Sequence, residues 1–177
     1  VSNRLDWEIG PDEIEFINKT LQIDPKIKFL LVGRCEDELV TKIGRMCGPR
    51  AEFLGPITEI KTFLSMIDFL VNTKRLGGGG AAATAIGHGT PVFSINYGDV
   101  TSLLPSEYLA DNYEELLGLI NFHLELDKPT RQQIAYSIFD QFPKFKDNVQ
   151  RLMKALEWRH KKNRISALNQ ESKSLIN

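Results

Sequence analysis

The 177-residue sequence has few of the features that define several protein classes. It carries 22 lysine and arginine residues against 23 aspartate and glutamate residues, so its net charge is close to zero. Proteins that bind nucleic acids through phosphate contacts usually carry a marked positive charge, and we therefore expect no nucleic-acid partner. The two cysteines are too few for a disulfide framework and lack the spacing of zinc ligands. We expect reduced thiols, a cytoplasmic location and no metal site.

Long apolar segments are also lacking. No run approaches the length of a membrane-spanning helix and no signal peptide is recognisable, so we expect no transmembrane segment. The composition, with 42% hydrophobic and 25% charged residues, is that of an ordinary globular domain. We predict one domain at residues 1–160 and a polar tail at residues 161–177. Because Val1 lies in what looks like structured sequence, we expect the chain to be a fragment of a larger protein.

Short apolar runs alternate with amphipathic stretches along the chain. The pattern predicts strands at residues 28–33, 51–55, 68–72 and 91–96, and helices at 11–21, 36–48, 57–67, 81–87, 113–126 and 147–162. Residues 1–5 are predicted to end a further strand, and Thr130 to cap a helix that begins after Pro129. This alternation is typical of a parallel sheet with helices on both faces, an α/β fold of Rossmann-like type.

Four consecutive glycines, from Gly77 to Gly80, lie between the third strand and a helix of small residues. The start of a helix presents unpaired N–H groups and a partial positive charge, and glycine lets phosphate oxygens approach them. We therefore expect the backbone from Gly77 to Ala81 to hold a phosphate group. Lys74 and Arg75 precede the glycines and could add positive charge. A plain flexible loop with a solvated basic pair is the alternative.

A second interpretation of the glycines is a dinucleotide-binding motif. Gly77, Gly79 and Ala82 match its spacing, and Asp99 lies near the distance expected of a ribose-binding acid. Three strands precede these glycines, whereas the motif normally follows the first strand. An NAD-binding module is therefore the less favoured hypothesis.

The order of the motifs is similar to that of a known family. FLLVG, AEFLG and DFLVN are followed by the glycine-rich turn and by AIGHGTPVFS. Over residues 1–126 the chain resembles the C-terminal, donor-binding half of retaining GT-B glycosyltransferases of the group 1 family. The resemblance implies a transferase whose donor is a sugar linked to UDP, GDP or ADP, with no further cofactor. It also implies that an N-terminal domain of the same parent chain holds the acceptor.

The resemblance also implies a set of donor-binding residues, without identifying a catalytic one. These residues would line the nucleoside pocket (Gly33, Arg34, Gly55), contact the diphosphate (Arg4, Lys74, Arg75, Gly77, Gly78, Gly79, Gly80, Ala81) and meet the sugar or ribose (Asp99, Thr84). The sequence departs from the family where a lysine and two glutamates are usual, at Ile9, Leu76 and Thr84. A non-catalytic binding or scaffold domain of the same fold is therefore an open alternative.

Overall fold

The computed structural model describes residues 1–2 and 4–141. Val1–Ile138 forms one compact unit, and the chain from Phe139 onward belongs to a second. The helix predicted at residues 147–162 and the tail predicted at residues 161–177 lie outside the described residues.

The described residues contain five short strands, and every paired strand runs parallel to its neighbour. Their bounds are β1 Phe29–Val32, β2 Ala51–Gly55, β3 Leu70–Asn72, β4 Val92–Ile95 and β5 Leu109–Ala110. β1 pairs with β2, and β4 lies between β3 and β5 in a separate sheet. Four of the strands were predicted, while β5 is too short to show a pattern. The predicted parallel pairing is confirmed, with the difference that the strands form two sheets.

Helices pack around these strands. Their bounds are α1 Leu5–Glu8, α2 Pro11–Ile23, α3 Asp37–Cys47, α4 Ile60–Met66, α5 Gly79–Gly87, α6 Tyr113–Leu124 and α7 Lys128–Gln141. Short 3-10 helices lie at Gly48–Arg50, Asp99–Ser102 and Ser106–Tyr108. α3 contacts β2, α5 contacts β3 and β4, and α6 contacts β4 and β5. The sequence places each of these helices next to a strand, so each can cover part of a sheet.

Local side-chain chemistry sets the ends of two helices. α2 begins at Pro11, and the Glu13 carboxylate accepts the Gly10 N–H at 2.8 Å. α6 begins after Asn112, whose side-chain oxygen accepts the N–H groups of Glu114 and Glu115. In both cases a side-chain oxygen satisfies donors at the helix start.

One prediction at an element end was wrong, and a second is met only in part. Thr130 does not cap the last helix, because α7 begins at Lys128 and the Asp127 carboxylate accepts the Thr130 N–H at 2.8 Å. The predicted strand at residues 1–5 is reduced to an isolated bridge between Arg4 and Arg34, after which Leu5 starts α1.

One apolar cluster joins the helices to the strands. It includes buried residues of α2, β1, α3, β4 and α6, among them Ile17, Leu31, Ile43, Phe93 and Leu116. The cluster fixes the strands against their covering helices, and hence the positions of the loops that follow the strands.

Candidate functional site

The loops that contain the predicted site residues follow the carboxyl ends of the parallel strands. The Gly33 N–H donates to the Gly55 carbonyl at 3.0 Å, which joins the end of β1 to the end of β2. The Ser2 N–H donates to the Val32 carbonyl at 2.8 Å, which joins the first residues of the chain to the end of β1. Ligands of open α/β folds bind at this edge of the strands.

Gly33 is required by the close packing of this edge. A Cβ atom on it would lie 1.9 Å from the Ser2 carbonyl oxygen, and its φ of +145° disfavours other residues. Gly33 thus serves the crossing of two backbone segments. Arg34, the next residue, is exposed.

The glycine-rich turn leads directly into α5. Gly78 is its N-cap, with a φ of +119°, and a Cβ atom there would lie 2.3 Å from Asn72 Oδ1. Within the described part of the chain, no group accepts the N–H of Gly80 or of Ala81. Gly80 is exposed, and a Cβ atom on it would meet no other atom within 4 Å. An anion can therefore approach the Gly80 amide from solvent, and the neighbouring Ala81 amide also lacks an acceptor in the described chain.

The Asp99 side chain already accepts a hydrogen bond from one backbone N–H of the same turn. Its Oδ1 atom accepts the Gly79 N–H at 3.0 Å, and the Asp99 N–H donates to the Leu76 carbonyl at 3.0 Å. The carboxylate therefore sits at the positive end of α5, where it makes a favourable charge–dipole interaction. The sequence predicts that the backbone from Gly77 to Ala81 holds a phosphate group. In the structure the Gly79 N–H already has an acceptor within the chain, so it is not free to bind one.

Arg75 has a structural set of partners. Its side chain is only 9% exposed, and its Nη1 atom lies 2.7 Å from Glu8 Oε2 and 2.8 Å from the Val1 carbonyl oxygen. Its Nε donates to Asn72 Oδ1 at 2.6 Å. These bonds tie the turn after β3 to α1 and to the start of the chain. Three protein acceptors thus surround the guanidinium that was predicted to contact a diphosphate.

Lys74 is the exposed cation next to the turn, and it forms no ion pair with any residue that the structure describes. Its Nζ lies 5.9 Å from the centre of the Tyr97 ring. Its N–H donates to Tyr113 Oη at 3.2 Å, and that hydroxyl donates to the Glu13 carboxylate. The pKa of Tyr113 is raised, first by burial and then by the hydrogen bond to Glu13. The hydroxyl therefore stays protonated and holds the Lys74 backbone in place.

Arg4 lies on the same edge, and its side chain contacts residues that are close to it in the sequence. Its guanidinium is 2.8 Å from Asp6 Oδ2 and 4.3 Å from the centre of the Trp7 ring. The hydrogen bond from Arg4 is the main reason that the pKa of Asp6 is lowered. Trp7 itself is 77% exposed, so the guanidinium covers one part of an otherwise open ring.

The three positions that depart from the family pattern have different surroundings. Leu76 is 74% exposed beside the turn, and Ile9 lines a cavity between β1 and β3. Thr84 lies in α5, where its hydroxyl donates to the Gly80 carbonyl at 2.8 Å. None of the three can supply the charge of the lysine or glutamate that is usual there.

Sequence patterns missed several residues that shape this edge. Asn72 and Glu8 hold Arg75, while Tyr113 and Glu13 hold the backbone of Lys74. Glu8 and Tyr113 lie 67 and 39 residues from their partners, so no local spacing could reveal these contacts.

Among the described residues, no group of three or more histidine, cysteine, aspartate or glutamate side chains could hold a metal ion. Within the same residues, no helix is both long enough and apolar enough to cross a membrane.

Comparison with known proteins gives a match at the level of structure. Neither a family model nor a curated protein matches the sequence. A structure of a TarM mutant from S. aureus, in complex with Fondaparinux, alpha-GlcNAc-glycerol and UDP, has a TM-score of 0.62 and 15% identity. A structure of Alr3699/HepE from Anabaena, in complex with UDP and glucose, has a TM-score of 0.65 and 20% identity.

The predicted α/β fold class is confirmed. The matches cover 80% and 85% of this chain but only 31% and 46% of the two solved chains. The chain thus spans a third to a half of the proteins that it is similar to. At these identities the likeness is one of fold, a Rossmann-like arrangement of parallel strands and surrounding helices.

Proposed function

We propose that this domain binds a nucleoside diphosphate sugar and acts as the donor-binding half of a glycosyltransferase. The observation that supports this most directly is the pair of amides at the start of α5, Gly80 and Ala81, that have no acceptor within the described chain. They lie at the carboxyl edge of a parallel sheet, in a fold shared with two proteins that were crystallised with UDP. A diphosphate suits such a helix start because backbone N–H groups and the helix dipole both favour negative charge.

Two charged side chains have distinct roles in this proposal. Lys74 is positioned by Tyr113 and supplies the mobile positive charge for the diphosphate. Asp99 opposes the diphosphate while it accepts the Gly79 N–H, and it turns to a sugar hydroxyl once the donor displaces it. Transfer depends on positioning the donor and on stabilising the departing diphosphate with amides and Lys74.

The acceptor belongs to another part of the proposed enzyme. In this proposal an N-terminal domain of the same parent chain holds it, and donor and acceptor meet between the two domains. The domain alone therefore binds the nucleotide without transferring the sugar.

A non-catalytic domain of the same fold is the second candidate. Two contacts favour this candidate: the hydrogen bond from the Gly79 N–H to the Asp99 carboxylate and the ion pair between Arg75 and Glu8. Both contacts occupy groups that would otherwise bind a diphosphate. In that case the glycine-rich turn has a structural role, and the Asp99 carboxylate stays bound to the Gly79 N–H at the start of α5.

A valine at Gly80 tests the proposal without disturbing the fold. A Cβ atom at this position meets no other atom within 4 Å, and Gly80→Val places two methyl groups in the path of a phosphate. Gly118→Val is the matched control, because Gly118 also has open space but lies in the middle of α6. Thermal unfolding is followed while UDP, GDP, ADP or NAD is titrated, since a ligand that binds the folded state raises the melting temperature.

The outcomes separate the candidates. Stabilisation of the unmodified chain by one nucleoside diphosphate, lost in Gly80→Val and kept in Gly118→Val, supports donor binding at the turn. Stabilisation by NAD alone favours the dinucleotide module. No stabilisation by any of the four ligands favours the non-catalytic domain.

A further inference from the structure

Trp7 is the most exposed large apolar side chain among the described residues. Tryptophan is highly buried on average, so an indole that is open to this degree is uncommon in a folded domain. The side chain does not belong to the apolar cluster that joins the helices to the strands. A single exposed apolar residue needs no explanation by itself, but the surroundings of Trp7 are specific.

The backbone on both sides of Trp7 is held in place. Leu5 is buried, and its N–H donates to the Arg34 carbonyl at 2.9 Å, which ties the start of α1 to the end of β1. Glu8, the last residue of α1, forms the 2.7 Å ion pair with Arg75. The indole is therefore presented from a fixed stretch of backbone, so little conformational freedom is lost when a ligand binds to it.

A cation holds one part of the indole. The Arg4 guanidinium lies 4.3 Å from the centre of the ring, and it is itself fixed by two hydrogen bonds to the Asp6 carboxylate at 2.8 and 3.4 Å. The Glu36 carboxylate lies 3.8 Å from the same guanidinium. The rest of the ring is open to solvent. A flat aromatic group can stack on this open part, which the fixed cation keeps in one orientation.

Two contacts connect this ring to the glycine-rich turn. Glu8 follows Trp7 in α1 and pairs with Arg75, and Arg75 Nη2 lies 2.8 Å from the place that a Cβ atom on Gly78 would take. Gly80, whose amide an anion can approach, is two residues further along the same turn. Trp7 and the proposed diphosphate site therefore lie along the same edge of the molecule.

The two sides of the turn differ in chemistry. On the side of α1 lies an aromatic ring with a guanidinium against it, whereas Asp99 lies on the side of β4. A carboxylate accepts hydrogen bonds from sugar hydroxyls, while an indole has no acceptor and offers one N–H and a large flat surface. Of the two groups that a diphosphate joins in such a donor, the base therefore suits Trp7 and the sugar suits Asp99.

We propose that Trp7 is the stacking platform for the base of the nucleoside diphosphate, and that Arg4 is the positioning residue that fixes its ring. This inference rests on the proposed function and gives the donor a direction, with its nucleoside toward α1 and its sugar toward Asp99. Stacking on an aromatic side chain is tolerant of the base, because every base has a flat aromatic face. Trp7 thus supplies affinity for the nucleoside without selecting among UDP, GDP and ADP.

The test compares UDP with inorganic pyrophosphate, which has a diphosphate but no base. Both are titrated by calorimetry into the unmodified chain and into Trp7→Ala, Trp7→Phe and Gly80→Val. Phe122→Ala is the matched control, because Phe122 is also an exposed aromatic residue but lies near the end of α6, far along the helix from Tyr113. Tryptophan fluorescence is recorded during the same titrations.

We expect Trp7→Ala to raise the Kd for UDP by about 5- to 30-fold and to leave the Kd for pyrophosphate within about twofold. Trp7→Phe keeps a ring and loses less affinity for UDP than Trp7→Ala. Gly80→Val weakens both ligands, and Phe122→Ala weakens neither. UDP quenches the emission of the unmodified chain, pyrophosphate does not, and the quenching is absent in Trp7→Phe, which retains only Trp158.

Three results would overturn the assignment of the base to Trp7 while the diphosphate site stands. They are an unchanged Kd for UDP in Trp7→Ala, equal losses for UDP and pyrophosphate in that variant, and quenching by UDP that persists in Trp7→Phe. The fluorescence of the unmodified chain and of Trp7→Phe decides the question even if Trp7→Ala does not fold. Absence of binding by both UDP and pyrophosphate at millimolar concentration would instead overturn the proposed function, and this inference with it.

Discussion

Replacing Asp99 by asparagine tests how the charge at the start of α5 controls nucleotide binding. The asparagine oxygen can still accept the Gly79 N–H, now 3.0 Å from the Asp99 carboxylate. The substitution therefore removes a negative charge while the local hydrogen bond is kept. We expect UDP to bind more tightly, because its diphosphate no longer meets a carboxylate at the same helix start.

The size of the effect follows from the geometry. A phosphate on the Gly80 and Ala81 amides would be next to the Gly79 amide that Asp99 accepts. At a separation on the order of 5 Å, two like charges repel by about 1 kcal/mol in water and about 3 kcal/mol at an effective dielectric constant of about 20. Asp99 is exposed, so the lower half of this range applies. Removing about 1–2 kcal/mol of repulsion lowers the Kd for UDP by about 5- to 30-fold. The loss of the charge–dipole interaction lowers the free energy of unfolding by about 0.3–1 kcal/mol.

Calorimetric titration of UDP into both forms at 0.1 M and 1 M salt measures this effect. The advantage of Asp99→Asn shrinks at high salt, because screening weakens the repulsion in the unmodified chain. Asp127→Asn is the matched control, since Asp127 also accepts a backbone N–H at a helix start but lies before α7. An unchanged or weaker affinity in Asp99→Asn, with the control unchanged, would refute a diphosphate site beside Gly79.

Two further predictions concern the framework of the site. Arg75→Met leaves the Glu8 carboxylate without its partner, so the free energy of unfolding in urea falls by about 2–3 kcal/mol; a loss below about 0.5 kcal/mol would contradict the structural role of this pair. Tyr113→Phe removes the hydroxyl that Glu13 accepts, which lowers that free energy by about 1–2 kcal/mol, and an unchanged urea midpoint would rule out this contribution.

The sequence predicted the local structure well where a pattern repeats. The strand at 51–55 has the predicted bounds, and α2 begins at the predicted Pro11. Runs of apolar residues and helix-start chemistry are local signals, so they are visible without the fold. β5 has only two residues and shows no such signal. Thr130 was chosen as a cap by residue type, whereas Asp127 takes the position with the stronger acceptor.

The surroundings of the site could not be predicted in the same way. Asp99 lies 20 residues from the Gly79 amide, and Arg75 lies 67 residues from Glu8. Such contacts depend on how the strands are ordered in space, which spacing along the chain does not encode. The space between β1 and β3 is also a property of strand order, and it became visible only from the pairing of the strands.

Amide chemical shifts during a UDP titration test the central claim most directly. The claim is that the diphosphate binds the open backbone amides at the start of α5. We predict that the Gly80 and Ala81 signals shift and saturate together with binding, while the Gly118 signal in α6 does not move. Saturable binding that leaves Gly80 and Ala81 unchanged, or no binding at millimolar UDP, would contradict it.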